Sequence, residues 1–267
     1  AGAAQVCWAR DDAAVVACGG DRTVRWWDPD SGREKFCGRA HKAFVNCCAA
    51  ADWTARVASG GDDRALRLWD DRRPRPVATI PHPFEVTAAC FHPTGSLPWI
   101  FSAGVDGVVR AWDERKTGAA VLTLADDAAD AMVTGVAVGG PAGSRLIANY
   151  SDGSLLEWDV RPFNLAAAES DGASVSDRVT RRFKGDEDRQ PPPNKDMLLL
   201  RAAISAEGRH VAAGSSAPVV PVWNGKTGEL EHRLGGHKAA VLDVAFHPTE
   251  SLVASASLDG SVFLGPL

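Results

Sequence analysis

The chain has 267 residues, 45% of them hydrophobic, with nine tryptophans and a formal net charge of −5. No apolar run is long enough to cross a bilayer, and residues 1–5 carry no leader pattern. The acidic balance argues against a protein whose main task is gripping nucleic acid, which usually shows a basic footprint.

In chain order, the first strands expected are Ala14–Cys18 and Thr23–Trp27, short and rich in β-branched and aromatic residues. The second ends on Trp27-Asp28. The same dipeptide returns at Trp69-Asp70, Trp112-Asp113 and Trp158-Asp159, at intervals of 42, 43 and 46 residues, and a worn copy follows at Trp223-Asn224. An aspartate stands six residues before each of the first four tryptophans: Asp21, Asp63, Asp106 and Asp152. Two copies read Asp106-Gly107 and Asp152-Gly153. Asp-Gly between apolar runs predicts a hairpin of type I′, whose backbone needs positive φ. In the third repeat the strands are Trp99–Ser102 and Val108–Trp112. The interval from Trp158 to Trp223 is 65 residues, and its excess falls in an enlarged loop region at 166–196, rich in Ala, Ser, Asp and Pro. Within that interval Arg178–Phe183 is expected as an outer strand. A sixth repeat has strands Val241–Phe246, Leu252–Ala256 and Ser261–Leu264 around Asp259-Gly260, with Gly265 in place of tryptophan.

Self-similarity at this period is the mark of a β-propeller, one four-stranded blade per repeat. The expected class is therefore all-β. Six repeats end near residues 28, 70, 113, 159, 224 and 266 of one domain spanning 1–267. The sixth stops on its third strand and residues 1–4 are too few to pair with it. An unpaired edge invites aggregation, so a seven-bladed type lacking its N-terminal blade is expected.

Two repeats carry a polar set at matching positions: His41, Ser59, Asp63 and Trp69, then His82, Ser102, Asp106 and Trp112. A buried imidazole needs a partner for each nitrogen and a buried indole N–H needs an acceptor. Because the set recurs with the blade, it reads as a structural network and not as a hydrolase triad. Elsewhere it frays: Ala17 in the first repeat, Ala129 and Ala148 in the fourth, Ala213 and Ala217 in the fifth. The sixth keeps His237, Ser255 and Asp259. No catalytic residue, cofactor, metal or small-molecule substrate is expected. The six cysteines all lie within the first 90 residues without a Cys-x-x-Cys pair, and read as buried free thiols.

Binding then falls to exposed loops. The candidates are Lys42, Phe44, Asp62, Glu85 and Lys238, where connections into inner strands meet the tight turns. Phe44 leads as an apolar ring just before a strand, the alternative being that it packs between blades. Basic clusters at Arg72–Arg75 and Arg181–Lys184 are the only hint of RNA, and any such contact is expected to be indirect or minor.

The repeats resemble the WD-repeat family. Several strings resemble its spliceosomal members: Ala40–Cys48, Trp158-Asp159-Val160-Arg161-Pro162-Phe163, Asn194–Arg201, His210–Ser215, Gly236–Pro248 and Ser255 to Leu264. The likeness runs in order along essentially the whole chain. It implies a non-catalytic nuclear subunit of the U5 small nuclear ribonucleoprotein, docked on the large U5 splicing scaffold protein and acting in pre-mRNA splicing. The family has seven repeats. Asn224, Ala217 and the Ala/Asp-rich loop depart from it and leave the fifth blade's partner surface open. A second resemblance is Trp-Asp-x-Arg, at Arg72, Arg115 and Arg161. It is similar to the motif by which propeller receptors dock on a cullin-type ubiquitin ligase adaptor, and it implies a substrate receptor.

Overall fold

The computed structural model describes residues 2–9, 12–126, 131–161, 179–183 and 194–267. Most of the 166–196 region, with Pro162, Phe163, Arg178, Lys184 and Ala129, lies outside them. No α-helix occurs among the described residues. The chain divides into two compact units, Ala1–Thr123 and Leu124–Leu267.

The first unit holds three four-stranded antiparallel sheets, each built from consecutive strands. They are β1 (Ala3–Trp8), β2 (Val15–Gly19), β3 (Val24–Trp27) and β4 (Glu34–Gly38); β5 (Val45–Ala50), β6 (Arg56–Gly61), β7 (Ala65–Asp70) and β8 (Ala78–Pro81); and β9 (Val86–Phe91), β10 (Trp99–Gly104), β11 (Val109–Asp113) and β12 (Leu122–Leu124). Each Trp-Asp closes the third strand of its sheet. The fourth strands β4, β8 and β12 are short and partly solvated, so no apolar alternation announces them.

Between these sheets lie two cores. Trp26, Val45, Cys48, Val57 and Trp69 form one. Cys47, Leu66, Leu68, Val86 and Ile100 form the next. Cys47 and Cys48 thus serve opposite faces of β5, as strand geometry requires. In the first sheet it is Trp26 that is buried, its ring edge-on to Phe36 at 4.9 Å, while Trp27 is half-buried.

The second unit repeats the scheme with β13 (Val133–Gly139), β14 (Arg145–Tyr150), β15 (Leu155–Asp159) and β16 (Val179–Phe183), and with β17 (Ala202–Ile204), β18 (His210–Ala213), β19 (Val220–Asn224) and β20 (Leu230–Leu234). A three-stranded sheet follows: β21 (Val241–Phe246), β22 (Leu252–Ser257) and β23 (Val262–Pro266). The cores are Trp223 with Phe183, Leu155 and Val211, and Val222 with Val220, Val241 and Val244. The described residues therefore form six blades.

The hairpins between second and third strands correct one expectation. In the Asp-Gly copies only glycine has positive φ: Gly107 at 72°, Gly153 at 87° and Gly260 at 78°. Type I′ would need both central residues there. Instead Gly107 N–H donates to Gly104 O, and Gly153 and Gly260 do the same to Tyr150 and Ser257. The turn is type I closed by one left-handed residue, a form that lets the aspartate stay right-handed and cap the turn. The first two sheets use the same turn with arginine in the left-handed place, Arg22 at 65° and Arg64 at 54°.

Candidate protein-interaction site

The second sheet explains the recurring polar set. Trp69 Nε1 donates to Ser59 Oγ at 2.8 Å, and Ser59 meets His41 Nε2 at 2.7 Å. His41 Nδ1 lies 3.0 Å from Asp63 Oδ1. With the proton on Nδ1, Asp63 receives it, Nε2 accepts the serine hydroxyl, and Arg67 Nη1, 2.7 Å from Nδ1, donates to Asp63 and not to the ring. Asp63 also accepts from Lys42 N at 2.9 Å and Arg67 Nη1 at 2.7 Å. Burial pushes the His41 pKa down, against the pull of Asp63, so the ring is neutral. Burial alone would raise the Asp63 carboxyl, but the Lys42 amide and His41 together hold it below the usual range. The connection carrying Lys42 and Phe44 is thereby tied to the turn at Gly61–Arg64.

The third sheet departs from this. Trp112 Nε1 donates to Ser102 Oγ at 2.8 Å, but His82 Nδ1 turns to Phe84 O at 2.9 Å. His82 Nε2 has no partner among the described residues, and Asp106 binds Arg110 instead. A local carbonyl two residues away has taken the proton that aspartate takes in the second sheet. In the sixth sheet His237 Nε2 meets Ser255 Oγ at 2.8 Å, and Phe263 stacks on the ring at 4.4 Å. Alanines replace serine in the fourth and fifth sheets. There the buried Trp158 and Trp223 indole nitrogens are unpartnered among the described residues. The fourth sheet has its own tie, a two-pronged pair between Arg182 and Asp126 at 2.6 and 2.7 Å.

Four surface candidates gather around the second sheet. Phe44 keeps 43% exposure while its ring lies on Gly20, where an added Cβ would stand 3.0 Å from Cε2. It is thus both an exposed ring and a packed one. Its carbonyl accepts Asp62 N at 2.9 Å. The Asp62 carboxylate accepts Asn46 Nδ2 at 2.7 Å, and Glu85 pairs with Arg64 at 2.8 Å. Lys42 is exposed. Lys238, in the second unit, donates its amide to Asp259 Oδ2 at 2.7 Å and is exposed. Arg22 and Arg64 stand in the tight turns beside these candidates and are not among them. Their signal was present, since Asp21-Arg22 and Asp63-Arg64 stand where other repeats have Asp-Gly.

The three Trp-Asp-x-Arg arginines share one geometry. Arg72 Nε meets Asp70 Oδ1 at 2.9 Å and its Nη2 meets Oδ2 at 3.0 Å. Arg115 grips Asp113 at 3.0 and 2.7 Å, and Arg161 grips Asp159 likewise. Each fork is closed on the aspartate of its own dipeptide, though the side chains stay 60–76% exposed. Exposed pairs of this kind open at little cost. Asn224 keeps the other task of that aspartate: its Oδ1 accepts Lys226 N at 2.7 Å and Thr227 N at 3.0 Å, as Asp28 does for Asp30 and Ser31.

A family profile described as "WD domain, G-beta repeat" matches residues 4–28, 33–70, 74–113 and 228–264. The chain is 30% identical to the U5 small nuclear ribonucleoprotein 40 kDa protein of Dictyostelium discoideum, over 97% of this chain and 68% of that protein. It is 31% identical to the pre-mRNA-splicing factor cwf17 of Schizosaccharomyces pombe, over 97% of this chain and 70% of that one. A DDB1- and CUL4-associated factor 11 homolog of Caenorhabditis elegans is 28% identical over 90% of this chain and 45% of its own length. Periodicity, sheet construction and these likenesses agree: the chain belongs to the WD-repeat family.

Proposed function

We propose that this chain is a non-catalytic scaffold of the U5 small nuclear ribonucleoprotein, acting in pre-mRNA splicing in the nucleus. Its partners are other proteins, chiefly the large U5 splicing scaffold protein. The observation that carries this is the likeness to splicing proteins over 97% of the chain, which takes in all six repeats in order. The absence of catalysis is supported by the environment of Ser59. Its side chain is fully buried and its hydroxyl is occupied by Trp69 and His41, so no substrate reaches it. A minor role for RNA is supported by Arg182, whose guanidinium is held two-pronged by the buried Asp126 carboxylate. We assign the protein contacts to Lys42, Phe44, Asp62, Glu85 and Lys238.

The test is a tagged pull-down from nuclear extract at moderately high salt, read by mass spectrometry and RNA sequencing. Recovery of U5 RNA with the large U5 protein is expected. Recovery of a cullin-ligase adaptor without U5 RNA would overturn the assignment and turn attention to Arg72, Arg115 and Arg161.

We also propose the seven-bladed type, with a further N-terminal blade lying on the first sheet. The support is that sheet's uncovered apolar face, where Val6 and Trp8 are 57% and 58% exposed. In a longer form carrying that blade, Trp8 should lose access to a soluble fluorescence quencher. Unchanged quenching would remove the idea.

A further inference from the structure

The tight turns of the first two sheets are built against backbone preference. Five hairpins share one geometry, in which the fourth residue donates its N–H to the first residue's carbonyl. That residue is left-handed in each: Gly107, Gly153 and Gly260 in three copies, Arg22 and Arg64 in the other two. A left-handed conformation strains any residue with a Cβ, and glycine avoids this. Two neighbouring sheets therefore hold arginine where glycine is easier. Strain retained at a surface turn is a reason to look for a task.

Contacts join these turns to Phe44. The ring lies on Gly20, two residues before Arg22. The Phe44 carbonyl accepts from Asp62 N and the Lys42 amide donates to Asp63, both in the turn that carries Arg64. One surface thus carries Arg22, Lys42, Arg64 and an exposed aromatic ring. Its carboxylates are already engaged. Asp21 is held by Arg25, Asp62 by Asn46, Asp63 by His41 and Arg67, and Glu85 by Arg64. The guanidinium of Arg22 and the ammonium of Lys42 have no carboxylate partner among the described residues. The Asn46 amide does not cancel the charge of Asp62, so two cations without a carboxylate partner, Arg22 and Lys42, stand against one carboxylate without a cation.

We infer that this surface docks an acidic peptide segment bearing a bulky apolar side chain. The ring is the apolar anchor, pre-set by its seat on Gly20, and the cations orient and select the acidic chain. The inference deepens the scaffold reading by naming the chemistry of the partner, and rests on it for the partner being a protein.

The experiment uses the full chain, immobilised, to select from a phage-displayed library of random peptides. Selected peptides are then titrated by fluorescence anisotropy. They should be enriched in Asp and Glu beside an aromatic or large aliphatic residue. Arg22→Gly and Arg64→Gly should each raise Tm by about 2 °C or more through strain relief, which shows the variants are folded. The double variant should bind the peptides at least about tenfold more weakly, as should Phe44→Ala. Selection of peptides without acidic enrichment, no selection at all, or unchanged affinity in these variants would overturn the inference. So would displacement of the peptides by oligouridine with the same sensitivity to Arg22→Gly, which would make the surface an RNA site. The pull-down separates the two readings. U5 RNA recovered equally by wild type and by a variant combining Arg22→Gly, Arg64→Gly and Phe44→Ala leaves the splicing role standing without this surface. Peptide binding that obeys the variants while U5 RNA is absent leaves the surface standing without the splicing role.

Discussion

Ser59 and Ala148 occupy equivalent places, and the difference between them decides the fate of a buried indole. Ser59 gives Trp69 an acceptor at 2.8 Å, whereas the Trp158 and Trp223 indole nitrogens, in repeats with Ala148 and Ala213 at that place, are unpartnered among the described residues. A buried donor without a partner costs its desolvation. Ala148→Ser and Ala213→Ser are therefore expected to stabilise the fold by about 0.5–1.5 kcal/mol each in urea titrations. Ser59→Ala should cost about 1–3 kcal/mol, since it strands both Trp69 and His41. His41 supplies a pH test. Its folded pKa lies below the ordinary 6.5 because burial disfavours the imidazolium. The unfolded chain then binds the proton first as pH falls. Stability is thus complete above pH 6.5 and is lost below it, as His41 is driven to charge. Asp63, depressed below 3.8, adds a loss of the same sign at lower pH. The urea midpoint should fall between pH 7.5 and 5.5 by less in His41→Gln than in wild type, and an equal fall would assign the acid sensitivity elsewhere.

Strands show what pattern alone conveys. Second and third strands were legible because β-branched and aromatic residues flank an aspartate turn. Val241–Phe246 was read to the residue, and Arg178–Phe183 is observed over Val179–Phe183. The outer strands β4, β8, β12 and β20 were not legible. They lie at sheet edges, half in solvent, where no alternation is enforced. Asp-Gly serves two hairpin geometries, and the pair alone does not choose between a left-handed and a right-handed aspartate. Packing between sheets was also hidden. Gly60 on β6 faces Val86 on β9 so closely that an added Cβ would stand 2.3 Å from Val86 Cγ1. Gly60→Ala should therefore cost about 1–3 kcal/mol by overpacking, measured as a fall in the denaturant midpoint with an unchanged m-value. A loss below a few tenths would mean that the two sheets separate without strain.

For the whole molecule, the repeat period carried the class. Nearest-neighbour packing accounts for the buried clusters named in each unit, the arrangement expected of a repeat array. We propose that the chain unfolds as one domain. Calorimetry should show a single transition whose van't Hoff and calorimetric enthalpies agree. Two transitions would mean that residues 1–123 and 124–267 unfold independently.

The number of repeats, the all-β class and the place of each tight turn were written locally, in residues at most a strand and a turn apart. Partnership was not. The His82 ring turns to Phe84 O although its repeat spells the same polar set as His41. Arg182 finds Asp126 across 56 residues, and the Lys42 amide finds Asp63 across 21. Which cations are engaged and which stay free depends on these meetings. They are set by how neighbouring sheets stack, and hydrogen bonds reward distances of about 3 Å that no spacing in the chain encodes.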